Sequence, residues 1–493
     1  TGGIPLDSSF QETLDSLTKS TNPDVILHGL RLVASQGELF GNQQGIAEVV
    51  ARHLASSTPE VIAMAVRALG VLGEAGGHYA DHVAAVMRWP NPEVRLAAVE
   101  VLGRFGKAAG RHAPKLIKMA SDPKLQDQEL KVAAITALGQ VGGDLTQVPT
   151  VAALLADASV QVQGAACLTL TSLGPFAEEH ASTIAAKLEQ DGTRLAAAQA
   201  LERLPGGVLQ PYLKDLVSKA LCDGDPETRQ AAVAAIAKAD ADRVVSDCSG
   251  KLLELLSHQH AGVRACTALV FRDLKEKGLF GASEVAKLLE DTAEDLSWLP
   301  LHMGGVRGRE PCERRKPRCA AVVALGAMCS QDHAAAVQEL LDDGDWEVRA
   351  STLEALASYS TSDPDLVERI ASLLDDDTYA VRSRACYWLG RVAAENQADR
   401  LSEMLEDKSQ AVRFEAVKAL GNLGDAAATY AYDVANLLVS DSSGKVRGAA
   451  ARALAAQGEH GKPYISAIAM LLMDVDPEAR SEACRALGKM GAS

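Results

Sequence analysis

Aromatic residues make up only 4% of this 493-residue chain, although 47% of it is hydrophobic. Alanine, leucine and valine must therefore fill the interior, which points to thin, closely packed helical layers and not to one deep core. Long apolar runs are missing too. A stretch such as "AIAMLLM", residues 467–473, spans seven residues, far short of the ~18–20 that cross a bilayer. The nine cysteines include no C-x-x-C pair. Their odd number favours core use in a reducing compartment, cytoplasmic or another, over a disulfide framework. Positive charge is scarce as well. A net charge of −16 argues against general nucleic-acid binding, which needs a basic footprint to neutralise phosphates. Nothing in "TGGIPLDSSF" reads as a signal peptide, and a chain starting at Thr1 fits a processed or trimmed N-terminus.

Signatures of chemistry are equally sparse. No G-x-x-x-x-G-K-[ST] loop occurs, and none of the eleven histidines belongs to H-E-x-x-H. Fragments such as "LGRFG" and "LGNLG" follow helical patterns instead of strands and recur along the chain, so a dinucleotide loop fails its context test. Carboxylate runs such as Asp375–Asp377 also recur, in turns, where solvated caps are the ordinary reading. No catalytic residue, metal ligand or cofactor is expected.

What the chain does have is a repeat. "PEVRLAAVEVLGRFG" from Pro92, "QAVRFEAVKALGNLG" from Gln410 and "PEARSEACRALGKMG" from Pro477 superimpose. With the residue before the arginine as anchor, copies fall at Val25, Val61, Val94, Leu130, Val162, Thr193, Thr228, Val263, Pro317, Val348, Val381, Val412, Val446 and Ala479. Spacings run from 31 to 36, except one of 54 between Val263 and Pro317. Eight past the anchor the residue is always apolar and is leucine in eleven copies, while alanine dominates seven past it. Positions one and six past it are mostly polar. This is an amphipathic helix with a broad apolar stripe. A second helical pattern separates consecutive copies, so each unit is a helical hairpin that needs its neighbours to complete a core.

The pattern D-x-x-x-x-V-R-x-A-A-x-x-A-L-G-x-L-G resembles HEAT repeats, of the short kind found in phycobilin-lyase-like proteins, over almost the whole chain. The resemblance implies an all-α, right-handed α-solenoid of about 14 two-helix repeats. It also implies an inter-repeat ladder of aspartates, five before the anchor in seven copies, and arginines, following it in ten. Such an aspartate can cap a helix while a neighbouring arginine bridges to it. The similar deoxyhypusine hydroxylases hold iron through His-Glu pairs, but that dipeptide occurs nowhere here, so their metal site does not carry over. Ankyrin repeats share the period but not the T-P-L-H turn.

The long spacing marks an insertion of about twenty residues inside the ninth unit. Residues 1–290 form N-terminal repeats, 291–316 the end of a first helix and a basic loop, and 317–493 the C-terminal repeats. The helix "SEVAKLLEDTAEDL" is expected before the loop. Arg307, Arg309, Arg314, Arg315, Lys316 and Arg318 stand in an otherwise acidic chain. Insertions in a solenoid map to one edge, often the binding side. Arg307, Arg309, Arg314, Arg315 and Lys316 are therefore candidate partner-binding residues, toward a protein with an acidic patch. Tyr387 and Trp388 break their columns, Trp388 standing where alanine is the rule. They are read either as local packing or as an interface anchor, and join the candidates. Cys167, Cys386 and Cys484 sit in an apolar column and read as core. The expected function is a non-enzymatic scaffold or adaptor in a multi-subunit assembly, with no nucleic-acid partner and no transmembrane segment. A bilin lyase-like or other cofactor-handling protein is the alternative.

Overall fold

A computed structural model describes Thr13 and residues 17–37, 45–142, 145–295, 316–359 and 363–491. Among these residues there are helices and turns but no strand. All fourteen anchors lie in the first turn of a helix. They are α1 (Pro23–Ser35), α2 (Pro59–Val71), α3 (Pro92–Arg104), α4 (Gln128–Val141), α5 (Val160–Ser172), α6 (Asp191–Arg203), α7 (Pro226–Lys238), α8 (Ala261–Leu274), α9 (Pro317–Ala327), α10 (Trp346–Leu356), α11 (Tyr379–Arg391), α12 (Gln410–Leu423), α13 (Gly444–Ala456) and α14 (Pro477–Lys489). The chain divides into two compact units, 1–247 and 248–493, so α1–α7 belong to the first and α8–α14 to the second. Within each unit, successive second helices pack side by side. The fold is an all-α solenoid of helical hairpins.

Start signals in the sequence account for where these helices begin. Proline stands at the first helical position of α1, α2, α3, α7 and α14, where its missing N–H costs nothing. The residue before it often caps: Asn91 Oδ1 accepts from the Val94 N–H at 3.2 Å, and Asp225 Oδ2 from the Thr228 N–H at 2.8 Å. Most first helices are shorter, Ala241–Leu255 with 15 residues being an exception. Residues 398–403, for example, tighten into a 3₁₀ turn over Met404–Glu406 that buries Leu405.

Repeats meet through two devices. The first is a glycine, one residue past the leucine column, against an alanine of the next second helix. A Cβ on Gly390 would lie 2.5 Å from Ala419 Cα, and one on Gly421 2.9 Å from Ala453 Cα. In the first unit, a Cβ on Gly103 would lie 3.1 Å from Ala137 Cα. No side chain fits there, so adjacent backbones approach directly.

The second device is the Asp–Arg ladder. In the second unit, Arg413 Nε and Nη2 donate to the Asp441 carboxylate at 2.7 and 3.0 Å, while Arg413 Nη1 donates to the Asp407 carbonyl of its own repeat at 2.8 Å. Asp441 in turn accepts the Ser443 N–H at 2.8 Å. The rungs Arg264–Asp291, Arg318–Asp343, Arg349–Asp376, Arg382–Asp407 and Arg447–Asp474 complete the series. In the first unit, Arg194 pairs with Asp223 and Lys131 with Asp157, the latter at 3.8 Å. Each aspartate closes the turn by accepting an N–H two residues on. The helix caps themselves are residues such as Asp225, Asp345 and Asp476, so the capping role expected of the ladder aspartates is shared out differently.

Two further differences concern the ninth repeat. The expected first helix to residue 296 stops sooner, with α-helix at Ala282–Lys287 and a 3₁₀ turn at Leu288–Glu290. Asp291, not the residue five before Pro317, supplies the rung to Arg264, because the insertion comes after the turn aspartate and shifts its column.

Burial disfavours the charge of Asp441, whose side chain is 1% exposed. The Arg413 hydrogen bonds, the Ser443 N–H and the charges of Arg413 and Arg447 nevertheless outweigh that burial and hold its carboxyl below the usual range. The unfolded value is about 3.9. The stabilisation is thus in place above about pH 4 and is lost as pH falls through the folded value. Asp441→Asn leaves Arg413 facing a neutral amide and should cost about 2–3 kcal/mol at neutral pH. Urea denaturation of both proteins across pH should show the difference shrinking below about pH 4.

The glycine four past the leucine column ends the helix in the left-handed region: φ is 56° at Gly424 and 57° at Gly458. In three repeats of the second unit another described residue stands there, and Lys275, Cys329 and Ala393 adopt φ of 53°, 51° and 51° instead. A Cβ in this conformation costs about 1–2 kcal/mol. Ala393→Gly should therefore raise stability by up to about 1 kcal/mol despite glycine's greater freedom when unfolded, read as a higher urea midpoint with unchanged slope.

Candidate protein-binding surface

Four of the seven candidate residues, Arg307, Arg309, Arg314 and Arg315, lie outside the described residues. Lys316, the last of the basic run, is the residue before α9. Its ammonium lies 2.5 Å from both Asp345 and Glu347. Burial works against its charge, but these two carboxylates outweigh it and raise its pKa above the ordinary lysine value. Lys316 thus ties the start of α9 to that of α10 and is engaged within the chain.

Tyr387 and Trp388 are neighbours in sequence on α11 and face opposite ways. Trp388 has no exposed surface, so its assignment as a partner-binding residue is withdrawn: in the alanine column, its indole is a core side chain. Its Nε1–H is buried with no hydrogen-bond partner among the described residues. Tyr387 is 40% exposed. Arg391, one turn on, donates to its hydroxyl at 3.2 Å. Lys418 of α12 lies 5.8 Å from the Tyr387 ring centroid and 5.0 Å from that of Phe414, within cation–π range, and pairs with Glu415 at 2.8 Å. Tyr387, Arg391, Glu415, Lys418 and Asn422 line an open cleft of about 440 Å³ between α11 and α12. The cleft holds an aromatic ring, two cations, a carboxylate paired with one of them and an amide, a set suited to holding a peptide.

The histidines and cysteines follow the sequence reading with exceptions. His78 and His82 stand four apart, a spacing the sequence reading passes over. They are exposed, and among the described residues no group of three or more His, Cys, Asp or Glu side chains could hold a metal ion. His112, nearly buried, has Nε2 3.0 Å from Asp81 and accepts from Lys115 at 3.4 Å. Burial and then Lys115 hold its pKa below the usual value. Cys167 and Cys386 are buried as expected, and burial pushes the Cys167 thiol up to about 12. Cys484 is exposed, because no further helix of the described chain covers that side of α14. No described helix is long and apolar enough to cross a membrane.

Hairpins stacked through aspartate–arginine rungs and glycine–alanine contacts define an α-solenoid of the helical-repeat class. A family model for HEAT repeats matches residues 80–171, 311–379, 366–431 and 433–493, more than half of the sequence, and the chain belongs to that family. Among solved structures, importin beta crystallised in ammonium sulfate is similar, with a TM-score of 0.65 at 15% identity, covering 99% of this chain and 73% of that one. Yeast importin-beta (Kap95p) gives a TM-score of 0.65 at 13% identity, covering 98% and 72%. At such identities the likeness is one of fold. No curated protein matches the sequence.

Trp388→Ala should destabilise the protein by about 3–5 kcal/mol through the cavity it leaves, whereas Tyr387→Ala should stay within about 1 kcal/mol because the ring is part-exposed. Urea melts of the two variants separate the core residue from the surface residue.

Proposed function

We propose that this protein is a non-enzymatic scaffold or adaptor that binds other proteins along its repeat surfaces, as a subunit of a larger assembly. The observation that carries this reading is a contrast between columns. Equivalent buried positions repeat Leu356, Leu389, Leu420 and Leu454, all inaccessible to solvent. The outward position two residues earlier runs Glu354, Tyr387, Lys418, Arg452 in the same four repeats. A constant core under a changing face is what specific recognition by a repeat protein requires. The basic loop at 297–318 is the proposed docking element, toward a partner with an acidic patch. The fold accommodates it without loss: the rung Arg264–Asp291 closes before the loop, and Arg318–Asp343 resumes after it.

The test is charge reversal, Arg314→Glu with Arg315→Glu, combined with crosslinking mass spectrometry of the native assembly. Partner retention should be lost while thermal unfolding is unchanged. Retention equal to that of the unaltered protein, with loop crosslinks confined to the chain itself, would overturn the docking role.

A further inference from the structure

Positions three, six and ten past the anchor lie within one narrow sector of a helix, because their rotations differ by at most about 60° at 3.6 residues per turn. On α10–α14 this sector carries Arg384, Arg391, Lys418, Arg452, Arg485 and Lys489. Three carboxylates, Glu354, Glu415 and Glu482, are interleaved with them. The cations therefore outnumber the acids two to one in a chain of net charge −16. The first helices of the same repeats carry the opposite excess, with Glu339, Asp365, Glu368, Asp399, Glu403 and Asp433 against Arg369 and Arg400.

The acids are already engaged. Glu354 pairs with Arg384 at 3.2 Å, Glu415 with Lys418 at 2.8 Å, and Glu482 with Arg485 at 2.7 Å and with Arg452 at 3.8 Å. Among the described residues no carboxylate pairs with Arg391 or Lys489, and both are exposed. Arg391 is held instead by the Tyr387 hydroxyl, on the rim of the cleft that also presents Lys418. Its planar fork is positioned and still open to a carboxylate, the geometry in which arginine binds strongly. The exposed Tyr387 ring beside it supplies apolar contact area at small entropic cost.

We infer that the second-helix face of α11–α14 is a docking surface for an acidic protein segment, anchored where Tyr387 and Arg391 meet. This inference rests on the protein-binding reading and adds a second surface, distinct from the basic loop. A polypeptide with spaced acids fits better than a nucleic acid. The interleaved Glu354, Glu415 and Glu482 would repel a continuous line of phosphates, and the cationic excess is too small to offset a chain of net −16.

The test uses the full chain and a short fluorescent peptide of alternating glutamate and glycine with one central phenylalanine. Fluorescence anisotropy should show saturable binding that weakens as ionic strength rises. Arg391→Glu with Arg452→Glu should weaken it at least about tenfold. Arg400→Glu with Lys462→Glu, the same charge change on the first-helix side, should leave it within about twofold. Circular dichroism and thermal unfolding of both double variants should match the unaltered protein. No saturable binding, an equal loss from the control pair, or a single-stranded oligonucleotide of matching charge binding at least as tightly would each overturn the inference. Arg314→Glu with Arg315→Glu should leave peptide binding intact. If the peptide fails to bind while the native assembly still crosslinks to partners, the docking surface falls and the protein-binding reading survives.

Discussion

Each rung of the ladder imposes one constraint on three pieces of chain. An aspartate such as Asp441 closes its own turn through the Ser443 N–H and receives the arginine of the preceding repeat, while its backbone carbonyl receives Arg447 of its own repeat. The turn, the helix that follows it and the neighbouring hairpin are thereby held in one register. The pairs lie nearly out of water, with aspartate side chains 1–8% exposed and arginines 12–17% exposed from Arg382 to Asp474. At such burial, pairing and hydrogen bonding must offset a large desolvation cost, and a rung that lost one partner would leave a stranded charge. The rung is thus stronger as a specification of geometry than as a net source of stability. Stability comes from the layer beneath, where leucine, valine and alanine of successive second helices are buried and glycine–alanine contacts draw the backbones together.

The fold was legible because its determinants are periodic. Fourteen anchors located fourteen second helices, and the glycine column marked both close approach and helix termination. What escaped is what departs from the period. Asp291 serves its rung from outside the aligned column because the insertion follows it. Lys131 serves a rung that the arginine pattern hides, since any cation of the right reach can answer Asp157. Cys329 and Ala393 adopt a backbone conformation that their identities do not advertise. Trp388 shows the limit of column statistics most clearly: a large side chain in a small-residue column signals that something differs, but only packing decides whether the ring turns inward, and it does.

The candidate surface was legible in part. The outward column containing Tyr387 and Lys418 could be read from the helical period. Whether each charge on it is already neutralised could not be, because that depends on partners one repeat away. Lys316 and Arg391 make the comparison. In sequence, Lys316 belongs to the basic run and Arg391 is an unremarked helix end. In the structure Lys316 meets two carboxylates within the chain, while among the described residues Arg391 meets a phenol and no carboxylate. Exposed charge is defined by what remains unpaired, and pairing across the stack is a tertiary property.

The two sets of positions also differ in what substitution does to them, and this separates folding from recognition. Changes at the rung, the leucine column or the glycine–alanine contact alter buried charge, volume or backbone approach, each worth several kcal/mol. Changes six and ten past the anchor on α10–α14 alter exposed or half-exposed side chains, whose ion pairs contribute about 0–1 kcal/mol each. One helix can therefore carry Tyr387 and Arg391 outward while Cys386, Trp388 and Leu389 are held inward with no solvent exposure. The outward sector is free to acquire a charge pattern opposite to that of the chain as a whole, because the stack beneath does not depend on it.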